Sequence, residues 1–302
     1  MQRDPDERMR VSMTLPTMAG QLDRGSMTEW CTGIDDGPFH ALAVGERIAY
    51  PNLEAMTALS FAAAATERVC LSPTIVVLPA HPALVAAKQL ASLDVLSGGR
   101  VVVGVGVGGR EEDYLAFEAP FAGLHSRLDQ QMAEMRMAWA GEVPDGLSQP
   151  IGPAPVGAMP VLSGSLGPKS MRRAAKWASG VNGFSLSPNT DDWHGTFSSV
   201  RAAWSEADSS EEPYLATSFF YSAGDDETAG ASELADYAYR YLKVFGTEPA
   251  RAMASLTTAT SLDHTMRALD AIEAAGADEV YLVPVTTAAS ALTATSAALR
   301  QR

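Results

Sequence analysis

The sequence predicts an α/β fold, a single (β/α)8 TIM barrel with long loops at its C-terminal rim. Three observations predict it. Strand-like and helix-like stretches alternate along most of the chain, an order that builds a parallel sheet. Eight such units can be counted, and 302 residues suit a closed barrel of eight better than an open sheet. One stretch, Arg100–Val105, is a continuous run rich in β-branched residues, as expected of a strand covered on both faces.

The elements follow in order. Residues 1–9 form a charged arm, expected to be flexible, and the barrel domain is expected over residues 10–302. Val11–Pro16 reads as a short first strand. Thr17–Gly37 is a glycine-punctuated connection around one helical piece, and Phe39–Val44 is the second strand. Asn52 is placed to cap an alanine-rich helix. Val69–Leu78 is the third strand, ended by Pro79. Pro82–Leu96 is a helix with proline in its first turn and Gly98-Gly99 as its stop. Beyond the Arg100–Val105 strand, Met159–Ser163, Val181–Phe184, Tyr214–Tyr221 and Glu279–Val283 read as strands. Helices are expected over Pro168–Ala178, Asp191–Ala207, Glu227–Phe245, Leu262–Ala275 and the C-terminus. Gly141–Ala158, rich in Pro and Gly, is expected as a long loop over one rim, lining the substrate site with Thr17–Gly37, and a domain linker is the alternative.

Composition narrows the function. Lys+Arg 22 against Asp+Glu 36 leaves a net charge of −14, which argues against a general basic surface for nucleic acid or an anionic membrane. A phosphate-bearing ligand must then be held by a few placed groups. Cys31 and Cys70 are too few for a disulfide framework, no apolar run approaches a membrane span, and a cytoplasmic protein with reduced thiols is expected. There is no H-E-x-x-H, no Cys-x-x-Cys and no G-x-S-x-G, so neither a metal site nor a serine-hydrolase elbow is proposed.

Three groups of residues carry possible chemistry. Gly104, Gly106 and Gly109 satisfy G-x-G-x-x-G after an apolar strand, with Asp129 twenty residues on. That strand is the fourth, however, and Glu111, Glu112 and Asp113 open the next helix and repel a pyrophosphate, so a turn or the close approach of something flat is the better reading. The second group, Ser163 to Ser170, nearly copies a P-loop but has Pro168 where the second glycine belongs. With Lys169, Arg172 and Arg173 following, it reads as an anion site or a plain β–α turn. The third is Val44-Gly45-Glu46-Arg47, with His40 and Tyr50 nearby, and His81 between Pro79 and Pro82. Glu46 and His81 stand as catalytic candidates because charged residues after barrel strands face the active rim; a loop ion pair and a structural histidine are the alternatives.

The stretch from residue 44 to 129 resembles the bacterial luciferase-like superfamily of flavin- or coenzyme F420-dependent oxidoreductases. The resemblance rests on Thr66-Glu67-Arg68-Val69, His81-Pro82, Ala87-Lys88 through Arg100, and Gly104 to Gly108, followed by MPVLSGSLGPKSMRRAAKWASG. It implies a cofactor lying across the C-terminal rim with its ring near strands two to four, and a non-proline cis peptide in the third strand, here Thr74–Ile75. It also implies that Thr74, Ile75, Gly106, Val107, Gly108, Ser163, Gly164 and Ser165 hold the cofactor. The generic barrel rule favours the loops after strands seven and eight for phosphate instead. The sequence departs from two named branches. Val107 and Gly109 stand where the luciferases proper grip FMN phosphate with a basic residue, Arg110 lying just beyond. Glu46 and Gly109 stand where the sugar-phosphate dehydrogenases have a histidine and a glutamate.

The resemblance implies an oxidoreductase that moves hydride at the position of coenzyme F420 equivalent to flavin N5, to or from a small organic substrate. An FMNH2-dependent monooxygenase using O2 is the alternative. A cofactor-free, non-catalytic barrel acting as a binding protein is the alternative of another class. No nucleic-acid or membrane partner is expected, and a homodimer is.

Overall fold

A computed structural model describes residues 7–165, 167–189, 192–224 and 226–302. Nine parallel strands form one sheet: β1 (Arg10–Thr14), β2 (Ala41–Val44), β3 (Cys70–Pro73), β4 (Val76–Val77), β5 (Val103–Gly106), β6 (Val161–Ser163), β7 (Gly180–Asn182), β8 (Tyr214–Tyr221) and β9 (Glu279–Pro284). Their order is β3-β2-β1-β9-β8-β7-β6-β5-β4. A parallel bridge between Leu71 and Val101 links the two ends and brings the sheet round into a nearly closed barrel. Closure excludes the open-sheet dinucleotide fold that G-x-G-x-x-G alone suggests.

The expected third strand is two. Thr74 and Ile75 leave the ladder between β3 and β4, their peptide bond is cis, and residues 78–80 tighten into a 3-10 turn. The Ile75 side chain lies against the next two strands: a Cβ on Gly106 would meet its Cδ1 at 2.2 Å, and one on Gly164 would meet its Cγ2 at 3.2 Å. The glycines there make room for isoleucine.

Helices α1 (Arg24–Asp35), α2 (Ala55–Ala65) and α3 (Ala83–Ser97) cover the first strands. Glu54, not Asn52, caps α2, accepting from the N–H groups of Met56 and Thr57. Gly98 ends α3 as expected, at φ 73°, a left-handed conformation that glycine adopts without strain. The sequence motif arginines prove structural. Arg68 donates to the carbonyls of Asp35, Gly37 and Phe39, and Arg100 to those of Thr66 and Val69.

Of the two helices after β5, α4 (Glu111–Ala116) starts where Glu111, Glu112 and Asp113 were expected to open one, while α5 (Leu124–Trp139) lies in a stretch with no expected element. The latter corrects the placing of Gly141–Ala158. A helix running antiparallel to the strands ends below them, so the loop after it lies at the N-terminal end of the barrel. There the Asp94 carboxylate accepts from Val156 N–H at 2.8 Å and Lys88 donates to the Gly152 carbonyl. Next come α6 (Pro168–Ala174), shorter than expected, α7 (Trp193–Glu206), α8 (Glu227–Leu242), α9 (Thr247–Ala254), α10 (Leu262–Ala274) and α11 (Ala289–Gln301). The expected start of the sixth-unit helix at Asp191 lies outside the described residues; Asp192 caps it through Gly195 N–H. Of the expected flexible arm, residues 1–6 also lie outside them, while Met9 is buried with its N–H on Glu273 at 2.7 Å. No described helix is long and apolar enough to cross a membrane.

Candidate active site

The C-terminal ends of the strands surround a cavity of about 790 Å³, the size class of small-molecule sites. Every cofactor-binding candidate lines it: Thr74, Ile75, Gly106, Val107, Gly108, Ser163, Gly164 and Ser165. They come together because β4, β5 and β6 are neighbours, so the loops leaving them share one wall. This wall is flat and nearly free of side chains apart from Ile75. Gly108 needs its glycine twice over: its φ is 63°, and a Cβ would meet Val77 at 2.9 Å. The Val107 carbonyl is held by the hydroxyl of buried Tyr114 at 2.5 Å.

The outer end of this wall is polar. Ser163 and Ser165 hydroxyls are 2.7 Å apart and both residues are buried. Ser170, His125, Asp129 and Arg173 complete that end. Arg173 Nη2 lies 2.6 Å from Asp129, which also accepts from the Trp177 indole N–H. Of the three cations noted in the sequence only Arg173 reaches the cavity; Lys169 and Arg172 are exposed outside its lining. The helix terminus contributes less than expected. Helix α6 is under two turns, Pro168 has no N–H, the Gly167 N–H turns to Ser170, and the Gly164 N–H bonds the Val105 carbonyl. Side chains are therefore the groups this end offers to an anion.

Glu46 lines the cavity, with Oε2 accepting the Val77 N–H at 2.6 Å and Oε1 2.9 Å from His81 Nε2. His81 is outside the lining: it stands behind Glu46, packed on Phe117 at 4.3 Å, with Gln131 on its carbonyl. The solvated loop pair is therefore replaced by a buried one. Arg47 is not Glu46's partner. It is buried 3.4 Å from Asp113, with its guanidinium 4.7 Å from the Tyr50 ring centre. Burial, and then the charge of Arg110, pull the Arg47 pKa down while Asp113 opposes them. His40 sits at the start of β2, the far end of the barrel, where burial and the charges of Arg10 and Arg68 push its pKa down to about 4.

Sequence reading missed the rest of the lining. Thr14 ends the first strand, Thr17 follows it, and Asn182 ends the sixth barrel position. Thr14 Oγ1, Thr17 Oγ1 and Asn182 Oδ1 are buried in the wall with no hydrogen-bond partner among the described residues, as is Arg173 Nε. Across from the Thr74–Ile75 bulge, Phe184, Phe220, Tyr237, Tyr241 and Phe245 form an aromatic wall. The Tyr237–Tyr241 spacing on a helix and Ser218–Phe220 on a strand were the available signals.

The chain spans about half the length of the curated relatives it matches; one, an uncharacterized protein of Mycobacterium tuberculosis, is 32% identical over 133 residues, 42% of this chain and 46% of that protein. Solved structures align over nearly the whole chain. The monooxygenase RslO1 of Streptomyces bottropensis has a TM-score of 0.75 at 22% identity, covering 97% of both chains. The coenzyme F420-dependent tetrahydromethanopterin reductase of Methanopyrus kandleri scores 0.71 at 18%, covering 96% of this chain and 97% of that one. The oxygenating constituent of 3,6-diketocamphane monooxygenase from Pseudomonas putida, in complex with FMN, scores 0.71 at 15%, covering 97% of both. At such identities these likenesses establish the fold. The family model goes further, matching residues 9–283, and the chain belongs to the luciferase-like monooxygenase family.

Proposed function

We propose that this chain is an oxidoreductase that holds coenzyme F420 across the barrel mouth and exchanges hydride with a small organic substrate. The observation that carries the reading is one cavity joining a flat, glycine-lined wall to a serine–arginine end. The residues fit such a group. Gly106, Gly108 and Gly164 keep the wall flat, and buried polar atoms of Thr14, Thr17, Asn182 and Arg173 have no partner within the described chain. Ser163, Ser165 and Arg173 would hold the phosphate, and Ile75 would support the ring. When bound, F420 supplies ring position 5, a carbon in this deazaflavin, as hydride donor or acceptor.

The chain's own residues do the rest. Glu46 presents a carboxylate at the wall beside the bulge and is the group proposed to hold a proton there. His81 is a positioning residue, since it touches Glu46 and not the cavity. The aromatic wall excludes water. The likeness to an FMN-bound monooxygenase supports a second reading, FMNH2 with O2, in the same wall. F420 is favoured because the cation following the fourth-strand glycines, Arg110, is turned onto the aromatic wall, its guanidinium 4.2 Å from the Tyr241 ring centre. Fluorescence titration with F420 and with FMN, separately, tests this. Saturable F420 binding supports the proposal, tighter FMN binding replaces it with the second reading, and no binding of either leaves a cofactor-free barrel.

A further inference from the structure

The cavity is lined by two arginines, and they differ. Arg173 is neutralised by Asp129 at 2.6 Å. No carboxylate pairs with Arg110 among the described residues. Of the three acids that follow it, Glu111 and Glu112 are exposed outside the lining, and Asp113 is spent on Arg47 at 3.4 Å and on the N–H groups of Ile48 and Ala49 at 2.9 and 2.8 Å. Arg110 lies over the Tyr241 ring at 4.2 Å with Nη2 on the Tyr241 carbonyl, which leaves Nη1 without an acceptor among the described residues. A guanidinium beside an apolar chamber with no counter-ion favours an anion brought by a ligand.

The surface next to it is aromatic. Phe220 meets Phe184, Tyr237 and Tyr241 edge to face, at 4.7, 4.9 and 5.2 Å between ring centres, while Tyr237 and Tyr241 lie nearly parallel. These rings brace one another, so the wall is stiff, and such walls prefer flat, polarisable partners. Tyr237 is 3% exposed and its hydroxyl has no partner among the described residues. Burial pushes that phenol's pKa up, so it stays a donor.

We infer that this half of the cavity takes an aromatic carboxylate, its ring on the Phe220–Tyr237–Tyr241 wall and its carboxylate on Arg110. The inference deepens the oxidoreductase reading by naming a substrate class, and rests on it for the reaction but not for the binding.

The test uses the full chain, with and without F420, and three probes: 2-naphthoate, the neutral 2-naphthamide and the non-aromatic cyclohexanecarboxylate. Calorimetry is expected to show naphthoate binding at least tenfold tighter than either of the others. Arg110→Gln should weaken naphthoate to the level of the amide, and Arg110→Lys should restore part of the loss. Phe220→Leu should weaken both naphthyl probes and spare the cyclohexane acid. F420 affinity should stay within twofold in all three variants. Equal binding of naphthoate and naphthamide by the unmodified protein overturns the inference, even if no variant folds. So does Arg110→Gln weakening F420 and leaving naphthoate untouched, which would place a cofactor carboxylate on Arg110. F420 binding without acid preference leaves the proposed function standing and this inference fallen; acid preference without F420 binding does the reverse.

Discussion

The two ends of the barrel treat polar groups in opposite ways. Ser12 and Thr14 lie two residues apart on β1 and so share a face. At the N-terminal end, Ser12 Oγ accepts the Ala41 N–H at 2.9 Å and donates to Glu279, whose other oxygen takes the Tyr214 hydroxyl at 2.9 Å. Glu279 is 2% exposed, and burial raises its pKa above the usual carboxylate range. At the mouth, Thr14 Oγ1 is buried with no partner among the described residues, as are the Thr17 hydroxyl and Asn182 Oδ1. Buried polar groups are nearly always satisfied in folded proteins. At the floor Ser12, Glu279 and Tyr214 complete one another, with the Tyr281 hydroxyl left over among the described residues, whereas the mouth leaves several such groups open, at the end where barrel enzymes keep their chemistry.

That contrast can be broken most forcefully at the floor. Gly180→Ala places a Cβ 2.0 Å from the Tyr214 carbonyl oxygen, a backbone atom that cannot swing aside. Urea denaturation should show a loss of about 3 kcal/mol or more. Glu279→Ala leaves the Ser12 and Tyr214 hydroxyls unpaired, and two such donors at ~1–3 kcal/mol each predict ~2–6 kcal/mol. Cofactor affinity of the folded fraction should not change in either variant; a parallel fall would show that the ends are coupled.

At the mouth the sizes invert. Gly164→Val pushes on the Ile75 side chain, 3.2 Å from the new Cβ, which is flexible enough to give. We expect little change in urea midpoint but cofactor binding weaker by about 100-fold, or ~2.7 kcal/mol. Wild-type affinity in a folded variant would move the phosphate elsewhere. A finer comparison sets Ser12→Ala against Thr14→Val. The first should destabilise by ~1 kcal/mol or more, because it strands Ala41 N–H. The second removes a hydroxyl with no partner and should stabilise the ligand-free chain by ~1 kcal/mol. The same sign for both would erase the distinction.

The last effect is a pH slope. His40 at the floor is held neutral, its pKa lowered from 6.5 to about 4. An unfolded chain binds that proton more readily, so His40's contribution is present above pH 6.5 and lost as the pH falls towards 4. Melting temperature should drop across that window, and His40→Gln should flatten the drop.

How much of this was legible depended on the range of the physics. Helix stops such as Gly98 and the burial of the Val103–Gly106 strand are local, and the sequence shows them directly. The cofactor-wall candidates were legible through the family pattern because they lie on short runs after adjacent strands. Glu46 and His81 could be chosen, but not their bond, since the turn at residues 78–80 decides which of them meets the cavity. The split of the third strand left no local mark: Thr74-Ile75 between Pro73 and Val76-Val77 reads as continuous β. Tyr241 and Arg110 are 131 residues apart, and no spacing rule connects them. The Gly141–Ala158 loop was placed at the wrong end because the helix before it, whose direction settles the matter, went unrecognised.

Helices α8 and α9 interrupt the last stretch of the barrel, between β8 and α10, and reach across to Arg110 and Gly109. The excursion leaves after Tyr221 and returns by Thr260, and its two feet are tied by the Ser222 N–H on the Ala259 carbonyl at 3.0 Å. Closing a longer or shorter loop between fixed feet changes free energy only slowly with length. The segment bearing Tyr237, Tyr241 and Phe245 is in this sense an interchangeable cassette, and an ancestor of this chain could have traded one appetite for another by revising some forty residues while inheriting its barrel intact.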